Sequence, residues 1–283
     1  MTTTGKALLA TALLALPMAH AHAQVDGMPY VDAVGAYTQS QIMRHRGDES
    51  GKSDKAKQQR DTRKTTALAT RPATPASSRP LPDLTFARSP RITTTIHAAL
   101  MDVLSGRDAA ARPKTLAMFA PGIASNPAFR ELLARQLGAD RAQMSKTLQS
   151  GALQRQYGQY LATSGYSAGN VGDVQNAFLV DLWSVANGGA MPDRKLVYSA
   201  MRNRLRAAYA GNGGPAPPAM DNAQKQETAE TVALLGALLN RAWRTADTAA
   251  DRATLRAGAT ALGQRVGMNV RALALTERGF VSR

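Results

Sequence analysis

The stretch DVQNAFLVDLWSVANGG, residues 173–189, decides the fold class of this chain. Val174, Phe178, Leu179, Leu182, Trp183, Val185 and Ala186 recur at helical spacing, and together they cover about half of a helix circumference. A helix apolar over so wide an arc belongs in the middle of a core, with other helices on more than one side. Asp173 has the short oxygen-bearing side chain of an N-cap, and Asn187-Gly188-Gly189 supplies residues that end a helix.

Outward from this segment the pattern stays helical. Downstream, Pro192 opens a helix through Tyr209, and AGNGGPAPPAM at 210–220 reads as a turn and linker. Two long helices follow near Asp221–Ala246 and Thr248–Val266, with Gly267 as C-cap. The tail NVRALALTERGFVSR then returns Leu273, Leu275 and Phe280 to the core. Upstream, one helix is expected over Met144–Thr163 and another from Asn126-Pro127 to Gly138, with proline at the first helical position. Ile92, Ile96, Ala99, Leu100 and Val103 suggest a first helix ending near Gly106, although Ile92–Ile96 (ITTTI) alone is also a strand pattern. The expectation is an all-α fold: a single domain over 91–283 with six or seven helices and no strand set.

The chain begins MTTTGKALLATALLALPMAHAHA, residues 1–23. Lys6 precedes an apolar run from Ala7 to Leu16, Pro17 breaks it, and Ala21-His22-Ala23 offers small residues around a cleavage point. Such a run spans roughly 15 Å as a helix, against a bilayer core of about 30 Å. It reads as a cleaved export signal, with Gln24 first in the mature protein, directing it to the periplasm or outside. Residues 24–43 form a short segment in which Val34, Tyr37 and Met43 share a helical face. Residues 44–90 are charged, then rich in Ser, Thr and Pro, and read as a disordered basic linker. Arg46-Gly47-Asp48 within it is a tripeptide that recurs by chance.

Cysteine is absent, so disulfides and a lipid-attached mature terminus are excluded. No later apolar run is long enough for a transmembrane helix. The formal charge is +15, and its distribution is uneven. Residues 44–91 hold twelve Lys/Arg against five Asp/Glu, and residues 92–283 hold twenty-two against thirteen. In an exported protein that excess points to an anionic envelope or extracellular partner. A basic protein without any specific anionic partner has the same composition.

Several of these segments together resemble a family of exported bacterial helical proteins of unknown function. The resemblance rests on Asn126-Pro127 with its Leu-rich helix, and on Asn170-Val171-Gly172-Asp173-Val174 leading through Phe178-Leu179-Val180 and Leu182-Trp183 to Asn187-Gly188. Leu273, Leu275-Thr276 and Gly279-Phe280 complete it, so that it covers most of residues 115–283. It implies a helical domain behind a signal peptide, and no catalytic residue.

The chemistry available is narrow. His45 lies in the linker and His97 in the first helix, where it reads as a surface histidine, so metal ligands are too few. No nucleophile elbow or glycine-rich phosphate loop occurs, and no cofactor is implied. Carboxylates remain. Glu131 is the best-placed glutamate for a wall-cleaving hydrolase, with Asp173 or Asp181 as the second acid. The commoner readings are first-turn stabilisation for Glu131 and an arginine ion pair for Asp181. On the helix after Pro192, Lys195, Tyr198, Arg202, Arg206 and Tyr209 fall within an arc of roughly 80°. That stripe could bind phosphates or sugars; alternatively the tyrosines edge the core beneath arginine stems. The leading expectation is a non-enzymatic binding domain at the cell envelope. A peptidoglycan hydrolase and a secreted anion- or nucleic-acid-binding factor are the alternatives, and the low aromatic content makes nucleic acid the weaker of these partners.

Overall fold

The computed structural model describes residues 83–107, 113–189, 191–210 and 220–283, with the side chains of 207–210 left out. The export signal, the 24–43 segment, the linker through residue 82 and residues 211–219 of the later linker lie outside the described residues. Among the described residues are nine helices: α1 (Pro90–Leu104), α2 (Lys114–Ala124), α3 (Pro127–Arg135), α4 (Arg141–Gln149), α5 (Ala152–Ala162), α6 (Val171–Asn187), α7 (Arg194–Ala210), α8 (Asn222–Thr245) and α9 (Ala249–Arg265). A hairpin of β1 (Leu273–Thr276) and β2 (Gly279–Ser282) closes the chain. The all-helical class holds, and the expected six or seven helices become nine.

Two physical causes account for the miscount. No helix is expected between Gly106 and Asn126, yet α2 forms there with Pro121 near its end, where the exposed Pro121 ring removes only one late ladder bond. Gly151, with φ at +63°, divides the helix expected over Met144–Thr163 into α4 and α5. The threonine run after Ile92 is helical, not extended. Thr94 and Thr95 return their hydroxyls to the Pro90 and Arg91 carbonyls, and Ile96 is buried beneath them.

Side-chain caps set most of the other boundaries. Asn126 accepts from the Phe129 N–H at the start of α3, and Thr248 accepts from Asp251 at the start of α9. Asp221 and Gln224 form a reciprocal capping box on α8. For α6 the N-cap is Asn170, whose side chain accepts from the Asp173 N–H at 3.1 Å. Asp173 sits three residues inside the helix and has a different task.

α6 and α8 pack against each other at the centre, and both are buried on nearly every side in the middle of their length. α9 and α2 cover one flank, α1 and α5 line α8, and α7 lies on α6. Phe119 of α2 meets Phe178 of α6 edge to face, with ring centroids 5.3 Å apart. The hairpin is pinned from both sides. The Trp183 indole N–H donates to the Leu273 carbonyl at 2.8 Å, and Arg204 donates to the Phe280 carbonyl at 2.6 Å. Leu273, Leu275 and Phe280 are thereby buried, as their sequence pattern suggests.

Residues 83–89, the end of the stretch read as linker, are fastened to the domain. The Val171 N–H donates to the Leu84 carbonyl and the Phe86 N–H to the Gly169 carbonyl, while Leu84 and Phe86 pack on the core. These residues form an extended strap between α6 and α8. The expectation of a disordered linker through residue 90 is corrected at this end, because backbone pairing and two apolar side chains order the strap.

Candidate functional site

Asp181 is the most unusual acid of the domain. It lies on α6 with 1% of its surface exposed. The expected arginine ion pair is not what holds it. Tyr157 donates its hydroxyl to Oδ2 at 2.8 Å, and Tyr160 donates to Oδ1 at 3.1 Å. These two tyrosines stand one turn apart on α5 with stacked rings, and the Arg194 guanidinium lies 4.2 Å over the Tyr160 ring. Arg194 thus acts on Asp181 through its field. Burial pushes the carboxyl up to about 6, against the opposing influence of Asn240, the two tyrosine hydroxyls and Arg194. Gly236 of α8 passes beside it, and a Cβ there would stand 2.8 Å from the Tyr157 oxygen.

A second centre adjoins the first through Tyr198. The Tyr198 hydroxyl is 3.5 Å from that of Tyr160, and its ring stacks on Tyr166 with centroids 4.3 Å apart. Tyr166 donates to the Tyr198 carbonyl at 2.6 Å. Arg202 covers the Tyr166 ring and grips Asp173 with two donors, Nε at 3.0 Å and Nη2 at 2.8 Å. The same Nη2 also donates to the Gly165 carbonyl, and the Ser167 N–H donates to Asp173. Asp173 is therefore a buried anchor that ties α6 to α7 and to the loop between α5 and α6.

The residues singled out in sequence separate accordingly. Glu131 is exposed on α3, whereas Asp181 is sealed and Asp173 is held by Arg202. The three acids share no open site. Of the α7 stripe, Lys195 and Arg206 are exposed, Arg202 is half-buried in its ion pair, and Tyr198 is wholly buried. The Tyr209 side chain lies outside the described residues. Tyr198 belongs to the core, as one reading of the stripe had it, but the tyrosine ring that Arg202 covers is Tyr166, from the loop before α6.

Sequence reasoning missed a polar row on α8. Asn222, Gln226 and Glu230, spaced four residues apart, face the strap and the start of α1. Asn222 accepts from the Ala87 N–H at 2.7 Å and donates to the Ala87 carbonyl at 2.8 Å. Gln226 does the same to Ser89, at 2.7 and 2.8 Å. Glu230, with 2% of its surface exposed, accepts from Arg88, Thr93 and Gln226. His97 is buried on α1 against Gln154, not on the surface as read. Burial lowers its proton affinity, with Glu230 opposing and Arg88 reinforcing that effect. The spacing of three amide or acid side chains at four-residue intervals was the available signal.

No group of three or more His, Cys, Asp or Glu side chains that could hold a metal occurs among the described residues. None of the described helices is long and apolar enough to cross a membrane. The chain matches no protein-family model, no curated protein and no solved structure.

Proposed function

We propose that this chain is an exported, non-enzymatic helical domain that binds an anionic partner at the cell envelope, with residues 44–82 as a basic tether. One observation supports the reading above the others: the buried acids Asp173, Asp181 and Glu230 are engaged in bonds internal to the fold. They brace α5, α6, α7, α8 and the strap, and Glu131 stands on the surface apart from them. The tether carries ten Lys/Arg against four Asp/Glu. It ends where the strap begins, so attachment through it leaves the helical domain intact.

The test is crosslinking in intact cells with the full-length chain, compared with a full-length variant in which Lys52, Lys55, Lys57, Arg60, Arg63 and Lys64 are changed to Gln. Envelope retention that falls in the variant, and falls in the wild type as salt is raised, supports the tether. Equal retention of both proteins at low salt overturns it. Peptidoglycan cleavage by the purified wild type that disappears in Glu131→Gln would replace this reading with the hydrolase.

A further inference from the structure

The helical domain carries a cationic face of its own, distinct from the tether and from the α7 stripe. It is built where α6 ends. Gly188 and Gly189 both have positive φ, at 99° and 86°, and they turn the chain sharply beside Trp243 of α8. A Cβ on Gly189 would stand 2.9 Å from the Trp243 indole nitrogen, and one on Gly188 would stand 3.1 Å from Arg256 Nη2. Only glycine lets the indole and the guanidinium approach this turn so closely. Arg252 and Arg256, one turn apart on α9, place their guanidinium carbons 5.8 and 5.7 Å from the Trp243 ring centroid.

These cations are not neutralised within the fold. Neither Arg252 nor Arg256 has a carboxylate partner among the described residues. Arg252 donates to the Ala246 carbonyl, whereas the Arg256 guanidinium donates to no described residue. The Trp243 indole N–H likewise has no acceptor among them. Asp251, the acid nearest in sequence, is directed to Arg135 at 3.7 Å. Arg283 donates to Oδ1 of Asn187, the residue before Gly188, at 2.9 Å. Residues 241–283 contain eight arginines, no lysine and three acids. Arginine's planar fork fits phosphate oxygens with two donors at once, which suits this composition to phosphate rather than to diffuse negative charge.

The relief of the face indicates the form of the ligand. Beside Arg252 and Arg256, the exposed half of α9 presents Ala249, Ala250, Ala253 and Ala257. Short side chains let a flat anionic surface approach while the guanidiniums reach its phosphates. We infer that the Trp243–Arg252–Arg256 face docks on the phosphodiester headgroups of an anionic phospholipid bilayer. The inference rests on the proposed anionic envelope partner, and it assigns to the folded domain a contact separate from the tether.

The test is sedimentation of the full-length protein with vesicles of phosphatidylcholine, with and without phosphatidylglycerol, while tryptophan emission is followed. The wild type should bind only the vesicles containing phosphatidylglycerol, with an emission shift that is absent in Trp243→Phe. Arg252→Gln/Arg256→Gln should bind about thirtyfold more weakly. Ala257→Glu, which adds an acid on the exposed face and removes no contact, should weaken binding in the same direction. Binding unchanged in both variants overturns the inference, as does binding of pyrophosphate without association with vesicles. The Lys/Arg→Gln tether variant separates the two readings. If it still sediments in an Arg252- and Arg256-dependent way, this face stands even where the tether fails.

Discussion

Gln226 holds Ser89 by both of its backbone groups, accepting from its N–H at 2.7 Å and donating to its carbonyl at 2.8 Å. Asn222 treats Ala87 identically one helical turn earlier. Four residues of helix advance about 6 Å and two residues of extended chain about 6.6 Å, so the two repeats coincide. A row of side-chain amides on α8 therefore acts as a neighbouring strand for residues 87–89. Asn222 and Gln226 read only backbone groups at Ala87 and Ser89, while Leu84, Phe86 and Arg88 add side-chain contacts that hold the same strap.

Gln226→Leu should loosen the strap at Ser89. The substitution removes both bonds to Ser89 and those to Thr93 and Glu230, leaving buried groups unpaired at a cost of about 2–4 kcal/mol. Asn222→Ala should cost about 1 kcal/mol, because water can replace its exposed bonds. Urea unfolding gives the stabilities. Hydrogen exchange at Ser89 should accelerate in the first variant far more than exchange in the middle of α6.

Asp173 and Arg202 should behave as a single unit. Arg202→Met leaves the Asp173 carboxylate with the Ser167 N–H and without a cation, and should destabilise by about 3–5 kcal/mol. Arg202→Lys keeps the charge and loses the two-donor grip, and should recover only part of that loss. Asp173→Asn combined with Arg202→Met should cost less than the sum of the single changes. A double-mutant cycle in urea measures the coupling.

Helix starts were legible where the signal is local. Asn126, Asp221 and Thr248 each cap a helix within three residues of themselves, so their sequence context contains the whole interaction. The strap was not legible. Ser89 and Gln226 are 137 positions apart, and although Phe86 is the one aromatic residue of the 44–90 stretch, a Leu and a Phe in a polar segment do not say which surface they pack on. Helical spacing placed Tyr198 and Arg202 on neighbouring positions of α7, but periodicity cannot say what covers a face. Tyr166 and Asp173, from another part of the chain, settle that. Asp181 was recognisable as an acid at the margin of an apolar helix. Its tyrosine partners on α5 depend on how α5 crosses α6, which local pattern does not encode.

Gly258 is a packing requirement that its own conformation does not reveal. A Cβ at this position of α9 would stand 2.3 Å from the Phe129 ring, which is fully buried. By helix propensity alone, Gly258→Ala would stabilise α9 by about 1 kcal/mol. The overlap should reverse the sign and give a net loss of about 1–3 kcal/mol. Phe129→Leu opens room at the same point, so adding it to Gly258→Ala should cost less than it costs in the wild type. Thermal or urea unfolding of the four proteins decides the matter.

Asp181 should make the stability of the domain depend on pH in the opposite direction from an acid held in a salt bridge. Its folded-state value is raised to about 6 from 3.8, so the native protein binds this proton more tightly than the unfolded chain does. The stabilisation is fully present below the unfolded value, and is lost as pH rises through about 6. A rise from 3.8 to about 6 corresponds to about 3 kcal/mol. Asp181→Asn keeps the shape and an acceptor for one tyrosine hydroxyl, and removes the titration. Urea unfolding between pH 4 and pH 7.5 should show the wild type losing stability relative to Asp181→Asn across that window, with the difference levelling off above it. A difference independent of pH would mean that the carboxylate is not sealed between Tyr157 and Tyr160 in solution.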